Sequence, residues 1–327
     1  MEDYFEYKNN SKRYIDIKSK LILGSPDRKN RLFTIAIPTF KRTELLEQAL
    51  RSALNQIDVD DYEIVIVDND NSGSSSEKIV EKYSNKRVYY FKNDENIGMF
   101  GNWNRCIELA KGQYITILND DDWLSENYLK CCKQFLKADL DGLYFPSYRV
   151  DFRQNYIDNR KYQIIKKIIT PFSKTRKKLT LFDFFMGNMS AGSLGVLLNT
   201  EYLKKLGGYN PDYFPSSDYV LHSNYCHHYN VCFINIKLNY YRIAENESAK
   251  QETLTKWEYL DNDIRKYFIS VIARNEKLLR YVNKLIQENR VEGLVNTWNY
   301  YSVKKRKYNL MRRVLKKILT IKYILNR

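Results

Sequence analysis

Gly112-Gln113-Tyr114-Ile115-Thr116-Ile117-Leu118-Asn119-Asp120-Asp121-Asp122-Trp123-Leu124 joins an apolar, β-branched run to three consecutive aspartates. The run Tyr114 to Leu118 reads as a buried strand. Packing gives a core strand no reason to end in three carboxylates. Crowded like charges repel and have to stay hydrated or be neutralised. A divalent cation carrying a phosphorylated ligand neutralises them. The competing reading is a polar strand end with a helix cap, since Asp is also a good N-cap residue.

The preceding segments supply the context. Phe33 to Ile37 is a strand that Pro38 is expected to end. Leu45, Leu46, Ala49, Leu50, Ala53 and Leu54 then make one helix face over Glu44 to Asn55, with Thr43 or Thr39 suited to cap it. Glu63 to Val67 is a strand ending in Asp68-Asn69-Asp70-Asn71. Glu77 to Tyr83 is a short helix and Arg87 to Phe91 a strand, followed by Asn96-Ile97-Gly98. A helix over Asn102 to Ala110 leads into the central strand. Continuous apolar strands alternating with helices predict an α/β fold, a mostly parallel sheet flanked by helices on both sides. Ligands of such sheets bind outside the carboxyl ends of the strands. Pro38-Thr39, Asp68-Asn69 and Asp120-Asp121 all fall there.

Further on, Gly142 to Phe145, Ser193 to Leu198 and Val231 to Ile236 read as strands. Ser216-Ser217-Asp218 opens a helix to about Tyr229, and residues 252–325 read as three or four helical segments. The division expected is an N-terminal extension over 1–30 (one helix and a link), a catalytic domain over 31–250, and a helical, basic C-terminal region over 251–327. A basic, Tyr-rich insertion over about 150–182 is expected to lie over the active face.

The chain has 327 residues and a formal charge of +15. The charge is uneven: residues 293–327 hold ten Lys or Arg and no acid, and residues 159–182 hold eight and no acid. A polyanionic partner suits this balance. The basic runs carry no interleaved RNA-binding motif and no helix-turn-helix signature, so nucleic acid is not the expected partner. Five irregularly spaced cysteines argue for a reducing compartment. No apolar h-region follows the acidic start and no run approaches a membrane span. A cytoplasmic protein is expected.

Ile37-Pro38-Thr39-Phe40-Lys41-Arg42, Val67-Asp68-Asn69, Asn96-Ile97-Gly98, Gly112-Gln113-Tyr114-Ile115, the aspartate cluster and Ser217-Asp218, in that order, resemble the family 2 glycosyltransferases across roughly residues 32–245. These are inverting, nucleotide-sugar-dependent enzymes with a GT-A type domain. The resemblance implies that Pro38 and Phe40 pack on the nucleotide base, with Lys41 or Arg42 as a phosphate-side or base-side contact. It implies that Asp68 and Asn69 bond a uracil-type base and that Asn96 and Gly98 lie beside the ribose. It further implies that Asp120 contacts ribose or donor sugar, that Asp121 holds Mn²⁺ or Mg²⁺ on the diphosphate, and that Asp218 is the catalytic base. For Arg242, in a stretch similar to the family's closing loop, the resemblance implies a phosphate contact. The chain departs from the family pattern at Asn119, in place of a first Asp; at Trp103, in place of Arg; and at Ser217, in place of Glu.

Residue chemistry supports the same roles. A leaving diphosphate gains negative charge, which a cation on hard carboxylate oxygens offsets. An acceptor hydroxyl has to lose a proton, which a positioned carboxylate takes. A single base acting directly through the acceptor predicts inversion. His222, one turn beyond Asp218, either orients that base or touches the diphosphate, or is an ordinary surface or core histidine, the reading preferred. Cys226-His227-His228 and Cys232 lack zinc-site spacing.

Leu310, Met311, Val314, Leu315, Ile318, Leu319, Ile321 and Leu325 form a stripe opposite Arg312, Arg313, Lys316, Lys317 and Lys322. A basic amphipathic helix of this kind suits an acidic membrane surface, here the inner face of the cell membrane. Docking on the catalytic domain or in a homo-oligomer is the other reading. The expected substrates are a nucleotide-sugar donor and a glycan or lipid-linked acceptor. A nucleotidyltransferase and an inactive scaffold are the alternatives.

Overall fold

The computed structural model describes residues 2–73, 75–83, 85–136, 139–153, 176–189, 191–244 and 250–298, residue 300, and positions 314, 315, 317–319 and 321. In chain order the strands are β1 (Ser19–Leu23), β2 (Arg31–Thr39), β3 (Tyr62–Asp68), β4 (Val88–Asn93), β5 (Gly112–Ile117), β6 (Trp123–Leu124), β7 (Gly142–Tyr144), β8 (Ser147–Asp151), β9 (Arg176–Lys178), β10 (Val196–Asn199), β11 (Val231–Ile234) and β12 (Asn239–Ile243). The α-helices are α1 (Thr43–Leu54), α2 (Ser75–Lys82), α3 (Gly98–Leu109), α4 (Tyr128–Phe135), α5 (Leu181–Met186), α6 (Thr200–Lys205), α7 (Ser217–His228), α8 (Gln251–Ile272) and α9 (Glu276–Trp298).

Nine strands form one sheet in the order β1-β4-β3-β2-β5-β10-β7-β11-β9. The half built by β4, β3, β2 and β5 is parallel, as the alternation of apolar runs with helices demands. Beyond β5 the sheet is mixed: β10 runs antiparallel to both β5 and β7, and β11 parallel to β7. Side chains alternate between two buried clusters, one on each face. Ala36, Val65, Val67, Ile115 and Ile117 face the side covered by α3, α7 and α8. Ile35, Ile37, Ile64, Ile66 and Leu118 face the side of α1 and α4. Each fully buried Ile or Val contributes about 1.5–3 kcal/mol of transfer free energy.

Several boundaries differ from the sequence expectation for identifiable reasons. Pro38 does not end β2. It stays in register with Val67 on β3, and pairing with β5 stops at Ala36 and Ile117. The side of the strand where Pro lacks its N–H is therefore already unpaired. Neither Thr43 nor Thr39 caps α1. The N-cap position is Arg42, with no side-chain cap bond, and the Thr39 hydroxyl is used by Asp120 instead. The N-terminal segment is not a helix and a link: it holds a 3₁₀ turn at Ser11–Tyr14 and then β1, which extends the sheet antiparallel to β4. Of the basic insertion, residues 154–175 lie outside the described residues. Its final part, β9, pairs with β11 at the sheet edge. Among the described residues up to 298, the C-terminal region forms two long helices, α8 and α9, packed as a hairpin on α5 and α7.

A second sheet, β6-β12-β8, stands over the strand ends. Its outer face is a stack of Trp123, Tyr240 and Tyr148, with ring centroids 5.2 and 5.0 Å apart. Ser147, Arg149, Tyr241 and Ile243 are on the other face and line a cleft. Among the described residues no helix is long and apolar enough to cross a membrane.

Candidate active site

The carboxyl ends of β2, β3 and β5 form the floor of a cleft of about 770 Å³. The three adjacent aspartates do three different things there. Asp120 turns inward and is nearly buried. It accepts from the Thr39 hydroxyl at 2.8 Å and stands 3.4 Å from the Arg42 guanidinium. Burial, reinforced by the charge of Asp121, pushes its pKa up to about 6, against the opposing pull of Arg42. Asp122 is buried and sits behind the floor. It accepts from the backbone N–H of Arg242 at 2.9 Å and from the Asn119 amide at 3.1 Å. Burial first, then the charge of Asp121, raises its pKa well above the usual carboxylate range. Asp121 is the member left partly open to the cleft, and it accepts from Arg42 at 2.8 Å.

A buried amide network fixes this floor. Asn102, on the first turns of α3, donates to the carbonyl of Val67 at 2.9 Å. Asn93 donates to Asn102 at 3.2 Å and to Asn69 at 2.7 Å, and Asn69 donates to the Gly98 carbonyl at 3.1 Å. The ends of β2, β3 and β4 are thereby tied to the start of α3. Sequence reasoning did not single out Asn93 or Asn102. Their signal was two amides among otherwise apolar core positions, each needing partners once buried.

The structure brings Pro38, Phe40, Arg42, Asn69, Asn96, Gly98, Asp120, Asp121 and Asp218 onto the lining of this one cleft. Phe40 is 40% exposed, with the Lys41 ammonium 5.2 Å from its ring centroid. Trp103 also lines the cleft. It is 5% exposed and packs edge-on against Phe100 and Tyr209. Asn104 grips the backbone of Tyr209 through both amide atoms, at 2.8 and 2.7 Å. That contact requires glycine at 208, where φ is +73° and a Cβ would lie 2.4 Å from the Asn104 oxygen.

Asp68 and Arg242 are placed differently from the other expected contacts. Asp68 is buried beneath the floor, accepting from the Tyr90 hydroxyl at 2.7 Å and the Asp70 backbone at 2.8 Å. Arg242 braces the aspartate loop from outside. Its side chain donates to the Asp121 carbonyl at 2.9 Å and lies 4.0 Å from the Phe152 ring centroid.

Asp218 reaches the cleft from the first turn of α7. It is 4% exposed and accepts from the Asn188 amide at 3.2 Å and the Gly192 backbone at 3.1 Å. Burial raises its pKa above the usual aspartate value despite these bonds. A carboxylate held this way is a stronger base than one in water. Ser216, the N-cap residue of α7, does not cap its own helix. Its hydroxyl donates to Asp261 of α8 at 2.7 Å, and Asp261 pairs with Arg290 of α9 at 2.9 Å. The helix that carries Asp218 is thereby pinned to the C-terminal hairpin.

That hairpin supplies cleft residues the sequence reading missed. Thr253 and Trp257 on α8, and Arg290, Leu294 and Trp298 on α9, line it. Each set repeats every four residues, so each forms one stripe of its helix. The spacing was legible, but nothing in the sequence said which way the stripe faced.

His222 proves to be a core residue. It is 1% exposed and bonds the Tyr209 hydroxyl at 3.0 Å. Burial holds its pKa down from 6.5 to about 3. The sign follows from linkage. The unfolded chain takes up a proton below 6.5 that the folded chain refuses, so stability is full above that pH and falls as pH drops toward 3. The loss is at most about 1.4 kcal/mol per pH unit. Urea midpoints of the wild type and His222→Gln at pH 7 and pH 5 check this. The variant is expected to show a pH-dependent drop about 1–2 kcal/mol smaller.

The carboxylates fit a hard divalent cation in one mode of binding. Among the described residues no group of three His, Cys, Asp or Glu side chains stands ready as a cage. Asp121, with Asp120 next to it, suits Mg²⁺ or Mn²⁺ held by one or two carboxylates and completed by substrate phosphates and water.

Strand-end cleft, inward carboxylates and flanking helices are the architecture of an α/β glycosyltransferase of the GT-A type. The sequence model described as glycosyl transferase family 2 matches residues 34–198, and the chain belongs to that family. Among curated relatives it is similar to the Escherichia coli UDP-Glc:alpha-D-GlcNAc-diphosphoundecaprenol beta-1,3-glucosyltransferase WfgD, 24% identical over 260 residues, which cover 77% of this chain and 92% of that one. For three other curated relatives the match spans only 62%, 33% and 37% of their length. Among solved structures it resembles S. aureus TarS 1-349 in complex with UDP-GlcNAc, with a TM-score of 0.55 at 16% identity over 81% of each chain. It also resembles the mannosyltransferase PcManGT from Pyrobaculum calidifontis in complex with GDP-Man and Mn²⁺. There the TM-score is 0.51 at 12% identity, over 95% of this chain and 89% of that one.

Proposed function

We propose that the cleft transfers a sugar from a nucleoside diphosphate donor, a UDP-sugar, to a hydroxyl of a glycan or lipid-linked acceptor, with inversion. The observation that carries this reading is that Asp121 and Asp218 line the same cleft from two different elements, the strand-end floor and the start of α7. Phe40 offers its exposed ring to the base, with Pro38, Asn69, Asn96 and Gly98 around base and ribose. Asp68 supports that subsite from beneath through Tyr90. Asp120 holds the β2 end against the floor and turns Arg42 toward the diphosphate. Mn²⁺ or Mg²⁺, held at Asp121 when bound, neutralises charge on the leaving diphosphate.

Asp218 accepts the acceptor's hydroxyl proton. The freed oxygen lone pair attacks the anomeric carbon, and the glycosidic C–O bond breaks with its electrons leaving on the diphosphate. Attack from the side opposite the leaving group inverts the anomeric configuration. Burial of Asp218 raises the proton affinity this step uses.

A peripheral site at the inner face of the cell membrane suits a lipid-linked acceptor, and WfgD is named for such a substrate. The basic C-terminal stretch proposed to meet that surface lies mostly outside the described residues. Among its described positions Val314, Ile318 and Ile321 are exposed, spaced as one helix face. Self-association through the same face is the alternative use.

The test is a screen of nucleotide sugars with and without Mn²⁺, read by nucleoside diphosphate release. Metal-dependent release with an acceptor present is the expected result. Pyrophosphate release would make the protein a nucleotidyltransferase. UDP binding without turnover of any donor would make it a scaffold.

A further inference from the structure

Among the described residues three arginines line the cleft. Arg42 is paired with Asp120 and Asp121, and Arg290 with Asp261. Arg149 has no hydrogen-bond or ion-pair partner among the described residues, and it is exposed on the inner face of β8. Exposed to the cleft and hydrated when no ligand is bound, this guanidinium is free to pair bidentately with an anionic group of a ligand. On the reading proposed above, the donor's single diphosphate is met at the floor, by Arg42 and by a cation that Asp121 would hold.

The surroundings of Arg149 differ in kind from that floor. Across the second sheet it sits in register with Tyr241. Just past β8, the Arg153 guanidinium lies 5.2 Å from the ring centroid of Trp298 on α9. The same hairpin adds Trp257, which has the Arg290 guanidinium 4.9 Å from its ring centroid and a buried indole N–H without a partner among the described residues, and the exposed Asn289. Flat aromatic walls with amide donors suit the pyranose face of a sugar. The hairpin is also tied, through Asp261 and Ser216, to the helix that carries Asp218. A ligand seated there is registered with the proposed base.

Resting on the glycosyl-transfer reading, we propose that this part of the cleft is the acceptor subsite, and that its acceptor is a saccharide carrying a phosphate, with Arg149 the residue that recognises the anion. A lipid diphosphate and a polymer phosphodiester share this chemistry.

The test is calorimetric titration of the full chain, with UDP and Mn²⁺ present, by a panel of hexose and N-acetylhexosamine 1-phosphates, their methyl glycosides and inorganic phosphate. At least one sugar phosphate is expected to bind ten-fold or more tighter than its glycoside and than inorganic phosphate. Arg149→Gln is expected to abolish the preference, Arg149→Lys to keep part of it, and both to leave UDP affinity within two-fold. A decyl diphosphate ester and a methyl phosphodiester of the preferred sugar then assign the source, whichever binds tighter.

The proposal is overturned if the wild type shows no phosphate preference or if the preference survives in Arg149→Gln. It is also overturned if inorganic phosphate binds equally well, or if Arg149→Gln weakens UDP ten-fold, which would place the residue on the donor. Failure of the wild type to bind UDP at all would instead sink the donor reading. Repeating the sugar-phosphate titration without UDP keeps the two failures separate.

Discussion

Asp121→Asn is expected to lower sugar transfer by roughly 10²–10³-fold, with most of the loss tied to the metal. Asp120 is committed to Thr39 and Asp122 to the Arg242 backbone. Asp121 is the member of the triad left to meet a ligand, at the floor of the cleft. Removing one oxygen-bound contact to a cation on a diphosphate costs several kcal/mol of charge stabilisation, and each 1.4 kcal/mol is a factor of ten in rate. The variant keeps an oxygen of similar shape, so the loop, braced by Arg242 and Asn119, keeps its position. Calorimetric titration with UDP is the check. Wild-type affinity is expected to rise with Mn²⁺, and that of Asp121→Asn to be insensitive to it, with metal-free affinities matching within about three-fold. A Mn²⁺ response retained in the variant would move the cation to another carboxylate, Asp120 first.

The parallel half of the fold was legible because its signal is local. Runs such as Ile64 to Val67 are apolar at every position, so only a sheet covered on both faces accommodates them. The polar residues that follow each run then fall on one edge by topology alone. Asp121 stands out because a carboxylate cluster ends an apolar strand, whereas Asp218 is named by the family resemblance, its residue type alone fitting a helix cap equally well.

Direction was not legible. Nothing in Asp120-Asp121-Asp122 tells which side chain turns into the protein, because the partners that decide it, Thr39 and Arg242, lie 81 and 120 residues away. Asp68 shows the same limit. The family resemblance marks it as a base contact, while Tyr90, one strand over, donates to its oxygen from below. The hairpin was readable as helix but not as cleft wall. Its cleft-facing stripe of Arg290, Leu294 and Trp298 mixes charge with apolar area, and that pattern also suits a solvated face or a packed one.

Asp218→Asn is expected to lower kcat by about 10²–10⁴-fold while leaving donor affinity unchanged within about two-fold. The carboxylate takes a proton only during transfer, so its loss is felt in the transition state and not in donor binding. The amide retains an oxygen for the Asn188 and Gly192 donors, and the Ser216–Asp261–Arg290 chain that fixes α7 is untouched. The pH profile separates this role from a helix-capping one. Burial raises the pKa of Asp218, so the wild-type kcat is expected to fall as pH drops through a value above that of an ordinary aspartate. In the variant that acid limb disappears, because no carboxylate remains to be protonated at the reacting hydroxyl. Initial rates of nucleoside diphosphate release from pH 5 to 8, beside UDP titrations, measure both quantities. If Asp218→Asn turned over normally, the residue would be a cap and nothing more. If the rate fell but the limb stayed, the titrating group would be another buried acid of the same cleft, Asp120, whose burial pushes its pKa to about 6.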